Sequence, residues 1–220
     1  MTSRAPPPAQ PDPPTWLQAP PPPRRTGPVD IALSGPNVGA NKGLITIASG
    51  TFGAAAIAAK LSVPAIAFSG HTGRHHAFNE AAKEQGDTHY LQVYNSLAAN
   101  FTNALLSADR PYLPYKTLLN VNFGPIDGSE GREKRDDINN WKFVMTRLLG
   151  VDERFPGPVD LDICGNGGRL PAEDDVALRH DGCFATVTVA ESGGTMETVE
   201  KQGEVWNRLN GLGLMTCLPQ

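Results

Sequence analysis

The sequence holds no apolar run approaching the ~20 residues that cross a bilayer, so the reading contains no membrane-spanning helix and no membrane partner. Positive charge is not in excess. The 19 Lys and Arg stand against 23 Asp and Glu, a formal net charge of −4. No basic stripe follows any stretch, which removes nucleic acid from the expected partners. No internal repeat is present. No apolar segment follows a basic start near residue 1, so the chain as written carries no secretory signal and reads as cytoplasmic. Cysteine is scarce: Cys164, Cys183 and Cys217 are the three. They allow one pair and one free thiol, in any of three pairings.

What is present is one core's worth of apolar residues, 40% of 220, behind an unusual start. Residues 1–28 contain 11 of the 20 prolines, and that density forbids helix and sheet interiors. The segment reads as a disordered proline-rich tail. Its Pro-x-x-Pro spacings and Arg24-Arg25 would also suit an adaptor role toward SH3 or WW domains. Residues 29–220 read as one globular domain.

The domain is organised around residues 29–59. A short apolar strand, Asp30–Ser34, breaks at Ser34-Gly35 into a polar loop with glycines at 35, 39 and 43 and asparagines at 37 and 41. A helix of small residues then runs over 51–61, with Ser49 or Thr51 as its cap. A strand, a glycine-rich loop and a helix N-terminus converge free N–H groups and the positive end of the helix dipole on an anion. Asn37 and Asn41 offer amide oxygens to a hard cation, and Ser49 and Thr51 offer hydroxyls to a phosphate. The same residues also suit an ordinary Gly/Asn turn.

The order Ser34-Gly-Pro-Asn37-Val-Gly-Ala-Asn41-Lys-Gly43, Ser49-Gly-Thr51 and Pro64-Ala-Ile-Ala-Phe-Ser-Gly70 resembles the SurE family of metal-dependent phosphatases and nucleotidases. The likeness extends to the fungal SurE-like acid phosphatases. It continues through Pro111–Pro114, Leu119–Phe123, Phe143–Arg147, Arg169–Pro171, Gly182-Cys183 and Cys217–Pro219. The resemblance implies an α/β fold, a three-layer Rossmann-like parallel sheet with a β-rich C-terminal accessory region and a closing helix. It assigns Asn37 to a Mg²⁺ or Mn²⁺ ion, and Asn41, Ser49, Gly50 and Thr51 to the substrate phosphate. The implied activity is hydrolysis of phosphate monoesters such as nucleoside monophosphates by a metal-activated water. A homodimer and an extracellular location, as in secreted fungal members, are also compatible with the resemblance.

The family begins with a strand ending in Asp-Asp-Gly, whose carboxylates bind the metal, and adds a ligand from a Ser-Gly-x-Ser loop. This sequence contains neither motif. It therefore reads as an N-terminally truncated domain with weakened catalysis, and the rival reading is a non-catalytic phosphate-binding remnant. A first strand that has lost its neighbour should lower stability or favour self-association.

The rest follows in alternation: a strand at Ala65–Ser69, a loop over 71–88 with a short helix at 77–84, a helix from Tyr90 to Leu106, and a strand at Leu118–Phe123. Residues 124–140 form a charged loop. Trp141–Leu149 and Cys183–Ala190 read as strands, 160–182 as turn, and Thr195–Leu212 as the closing helix carrying Met196, Val199, Val205, Trp206 and Leu209. Asp30 takes a structural role at the far end of the first strand. His71, His75, His76 and His89 lack metal-ligand spacing and read as solvated. Cys164 and Cys183, if oxidised, would staple the turn-rich stretch between them. Asn100-Phe-Thr102 is a glycosylation sequon falling within a helix.

Overall fold

The computed structural model describes residues 27–73, 89–126, 135–150, 159–193 and 198–219. The expected helix at 77–84, His75, His76, Met196 and the proline-rich tail to residue 26 lie outside them. Five strands form one sheet: β1 (Ala32–Val38), β2 (Ala65–Gly70), β3 (Thr117–Phe123), β4 (Trp141–Thr146) and β5 (Cys183–Glu191). The spatial order is β1-β2-β3-β5-β4. Helix α1 (Gly50–Lys60) carries the chain from β1 to β2, and α2 (His89–Leu106) lies between β2 and β3 in sequence. These crossovers leave the first three strands parallel.

The β-rich C-terminal part is continuous with this sheet. Strand β5 pairs antiparallel with β3, and β4 then pairs parallel with β5. Among the described residues two further α-helices follow, the five-residue α3 (Glu173–Ala177) and α4 (Val199–Gly211). α3 lies inside the stretch expected to be turn. Thr198 caps α4, its side chain accepting from the Lys201 amide.

Alternation along the strands assigns the two faces. Ile66 and Phe68 of β2, with Leu119, Val121 and Phe123 of β3, face a core filled by Tyr94, Leu97 and Phe101 of α2 and by Val205 and Leu209 of α4. Phe123 stacks on Phe68 and Tyr94 and meets Trp141 and Phe143 edge-on. The opposite face is packed mainly by alanines: Ala65, Ala67 and Leu118 meet Phe52, Ala55 and Ala59 of α1. Short side chains on both partners let α1 lie close to the sheet. The result is three layers, helix, sheet and helix.

Strand β1 is the open edge of the sheet, and its Leu33 is 51% exposed. At the other edge, Phe143 bridges Met215 and Arg147 bridges Ala172. Asp30, just before β1, ion-pairs with Arg110. Asn100 is exposed on α2, within the helix as read. Cysteine pairing differs from the staple considered between Cys164 and Cys183. Cys164 bonds Cys217 across 53 residues with Cα atoms 5.6 Å apart, and Cys183 is free and buried at the start of β5. The segment after α4 crosses β4 at Met215, which brings Cys217 to the 164 turn. Among the described residues no helix is long and apolar enough to cross a membrane.

Candidate active site

The sequence places the end of the first strand at Ser34, where the apolar run breaks into a loop of glycines and asparagines. The strand in fact continues to Val38. An irregularity between Ser34 and Asn37 takes up Gly35 and Pro36, after which Asn37 pairs with Ser69 and Val38 with Gly70. Gly35 sits at φ +98°, and a Cβ there would lie 2.1 Å from the Phe68 carbonyl oxygen. Only glycine allows that approach. The detour sets Asn37 at the carboxyl end of an edge strand, where open α/β sheets hold their ligands.

Asn37 Nδ2 donates to the Gly39 carbonyl at 2.9 Å and to Asn41 Oδ1 at 3.3 Å. Its Oδ1 has no donor among the described residues. Asn41 is buried, 4% exposed, and its own Nδ2 donates to Ser69 Oγ at 2.5 Å. Both ends of the Asn41 amide are therefore committed inside the protein, and it would have to release one to reach a phosphate. Its backbone is held too. Asn41 N–H donates to Asn122 Oδ1 at 2.8 Å, and its carbonyl accepts from Asn120 Nδ2 at 2.8 Å and Asn122 Nδ2 at 3.1 Å.

Beneath this loop lies a residue that the sequence reading passed over. Glu173 is fully buried, and Oε2 accepts the Gly43 amide at 3.1 Å. Oε1 accepts from Asn120 Nδ2 and the Thr188 hydroxyl, each at 2.8 Å, and from Asn122 Nδ2 at 3.4 Å. Burial pushes its pKa up to about 7, against the opposing pull of the Thr188, Gly43 and Asn120 donors. The neighbouring Asp174 carboxylate meets Lys42 Nζ at 2.7 Å. One turn of α3 thus holds Lys42 and Gly43 from 130 residues away. A sequence signal existed. Asn120, Asn122, Thr186 and Thr188 alternate on buried strands and share one face, and such a polar floor needs a partner.

From Gly43 a 3-10 helix runs to Ala48 and delivers Ser49 as the cap of α1. Ser49 Oγ accepts the Phe52 amide at 3.0 Å. The Gly50 and Thr51 amides have no acceptor among the described residues, and Gly50 is exposed. The structure thus joins Asn37 to Asn41. Among the described residues no hydrogen bond links either to Ser49, Gly50 or Thr51, which form a separate set of donors at the head of α1.

The donor set does not suit a resident Mg²⁺ or Mn²⁺. A hard cation is held mainly by carboxylates, whereas Asn37 offers one neutral oxygen. Glu173 has both oxygens taken by hydrogen-bond donors, and Asp174 turns to Lys42. Among the described residues no group of three or more His, Cys, Asp or Glu could hold a metal. His71 is exposed, and His89 Nε2 lies 2.9 Å from Asp136 Oδ1.

A family model described as survival protein SurE matches residues 21–151, from before β1 through the whole of β4. The chain belongs to the SurE family. An acid phosphatase of Yarrowia lipolytica is 32% identical to this SurE chain over 184 residues, covering 74% of it and 50% of the phosphatase. The 5'-nucleotidase SurE of Jannaschia is 31% identical over 157 residues, 63% of this chain and 57% of the nucleotidase. The chain spans about half the length of these curated relatives. The SurE protein from Aquifex aeolicus, a solved structure, is 20% identical, with a TM-score of 0.35 over 81% of this chain and 64% of that one.

Proposed function

We propose that this SurE chain, a tail through residue 28 and a phosphatase-family domain over 29–220, binds phosphate monoesters and hydrolyses them slowly. Nucleoside monophosphates are the substrate class, as the name of the Jannaschia relative suggests. One observation carries the reading. The unpaired Gly50 and Thr51 amides and the Ser49 and Thr51 hydroxyls gather at the head of an 11-residue helix, just past the Asn37 loop. An incoming phosphate dianion accepts from those donors and lies along the helix dipole. Asn37 Oδ1 accepts a hydrogen bond from the attacking water and orients it. Water oxygen forms the new P–O bond as the ester P–O bond breaks; one water proton ends on the departing alcohol and the other stays on the released phosphate. A Mg²⁺ or Mn²⁺ requirement would need carboxylates beyond the described donor set.

A second reading is phosphate binding without turnover. It is favoured by the lack of any carboxylate beside Asn37 among the described residues. Hydrolysis of a chromogenic phosphomonoester, with either cation and with chelator, separates the two. Calorimetric binding of inorganic phosphate should weaken about tenfold in a Ser49→Ala, Thr51→Ala chain, the scale for losing hydrogen bonds to a charged group. Asn37→Ala should abolish turnover and leave phosphate affinity within about twofold. Unchanged affinity in the double variant would reject the head of α1 as the phosphate site.

A further inference from the structure

The polar floor under the loop is arranged around one acceptor. Four donors converge on the two oxygens of Glu173: the Gly43 amide, both floor asparagines and the Thr188 hydroxyl. The asparagine amides are turned with their nitrogens toward it. For Asn120 this orientation leaves Oδ1 buried without a partner. A buried orphan acceptor is unfavourable. Turning Asn120 over would set its oxygen against two acceptors, the Asn41 carbonyl and Glu173 Oε1, and would lose both bonds made by its Nδ2. The observed orientation is therefore the one that ties Asn120 to both Glu173 and the loop, with its oxygen left as the cost.

We propose that Glu173 is the positioning residue of the phosphate-monoester site, acting through the backbone of Asn41–Gly43 to hold the Asn37 amide outward. This inference rests on the reading of Asn37 as the water-orienting group. The path is continuous. Glu173 fixes Gly43 directly and fixes Asn41 through Asn120 and Asn122. Asn41 Oδ1 in turn accepts from Asn37 Nδ2, so the oxygen left over on Asn37 is the one that faces the reaction. Glu173 touches neither water nor phosphate in this scheme. The charged groups around it are Asp174 and Asp175 on its own helix, Lys42 in the loop, and Arg147 at the end of β4. Lys42 is paired to Asp174 and Arg147 to Asp160. The carboxylate's own contacts are therefore to neutral donors.

Glu173→Gln is the discriminating variant, because it keeps shape and replaces one oxygen by an NH₂ donor. Set toward Gly43, that donor opposes the Gly43 N–H; set toward the floor, it opposes two asparagine amides. Either way the loop loses a bond. Amide hydrogen exchange on the full chain should quicken about tenfold or more at Asn41 and Gly43, while amides of α2 keep their wild-type rates. In the same variant kcat for a phosphomonoester should fall about tenfold with KM within twofold, since Ser49–Thr51 are untouched. Unchanged loop exchange, or a uniform quickening throughout the chain, overturns the proposal by making Glu173 a core group only. So does a loosened loop with undiminished kcat. If the wild-type chain shows no turnover while the loop responds as stated, the hydrolytic reading falls and the loop-holding role of Glu173 stands.

Discussion

A Gly35→Ala chain should be less stable than the natural sequence by about 3 kcal/mol or more, and should lose turnover beyond what its folded fraction explains. The alanine Cβ would stand 2.1 Å from the Phe68 carbonyl oxygen and 2.9 Å from the Asn37 amide nitrogen, at a φ of +98°. Positive φ alone costs a non-glycine residue roughly 1–3 kcal/mol, and the overlap falls on backbone of β2, which cannot rotate aside as a side chain can. Relief requires β1 to move away from β2 at that point. Asn37, two residues on, then loses its register with Ser69. Urea unfolding measures the first effect, and activity normalised to folded protein measures the second. Wild-type stability in the alanine chain would show that β1 reaches Asn37 by another path.

The second large effect concerns pH. Burial holds the Glu173 carboxyl at about 7, above its ordinary value of 4.5, so the folded chain binds this proton more tightly than the unfolded chain does. The stabilisation is fully present below about 4.5 and is lost as pH rises from there through about 7. A difference of that size corresponds to roughly 3 kcal/mol. Since Glu173→Gln cannot titrate, the stability gap between natural chain and variant should change by about that amount between pH 4.5 and 8, against the natural chain at the alkaline end. Denaturant unfolding of both across this range makes the comparison. A constant gap would mean that the carboxyl titrates alike in the folded and unfolded chains. A proton on Oε1 has a route to satisfaction, because Thr188 can accept it and pass its own hydrogen to Thr146, 2.8 Å away. The donors from Gly43 and the two asparagines then stay in place.

The strand, loop and capped helix over 29–60 were legible in the sequence because each carries a local signal: an apolar run, glycines, and a serine three residues before the amide it accepts. The Gly35-Pro36 detour was not legible. Its favourable term is the renewed pairing of Asn37 and Val38 with β2, and that pairing exists only once β2 is alongside. Glu173 was missed for a similar reason. Its partner Gly43 is 130 residues away, and Glu173-Asp174-Asp175 has the look of a solvated acidic turn until Asn120 and Asn122 are seen to face it. The direction of β5 was equally hidden, since a strand of apolar and threonine residues reads the same whichever way it runs. The helix boundaries shifted by a few residues at most among the described segments.

The two margins of the sheet differ in kind, and this has a bearing on how copies could meet. The β4 margin is spanned at Phe143 and Arg147 by the chain's own segments and carries Lys142, a charge that discourages strand addition. Among the described residues no segment spans the β1 margin, whose interruption is instead Pro36 and the irregularity between Ser34 and Asn37. A second copy that paired there, edge to edge about a two-fold axis, would cover its partner's opening with its own. A pair closed in that way would leave no β1 margin for a third copy.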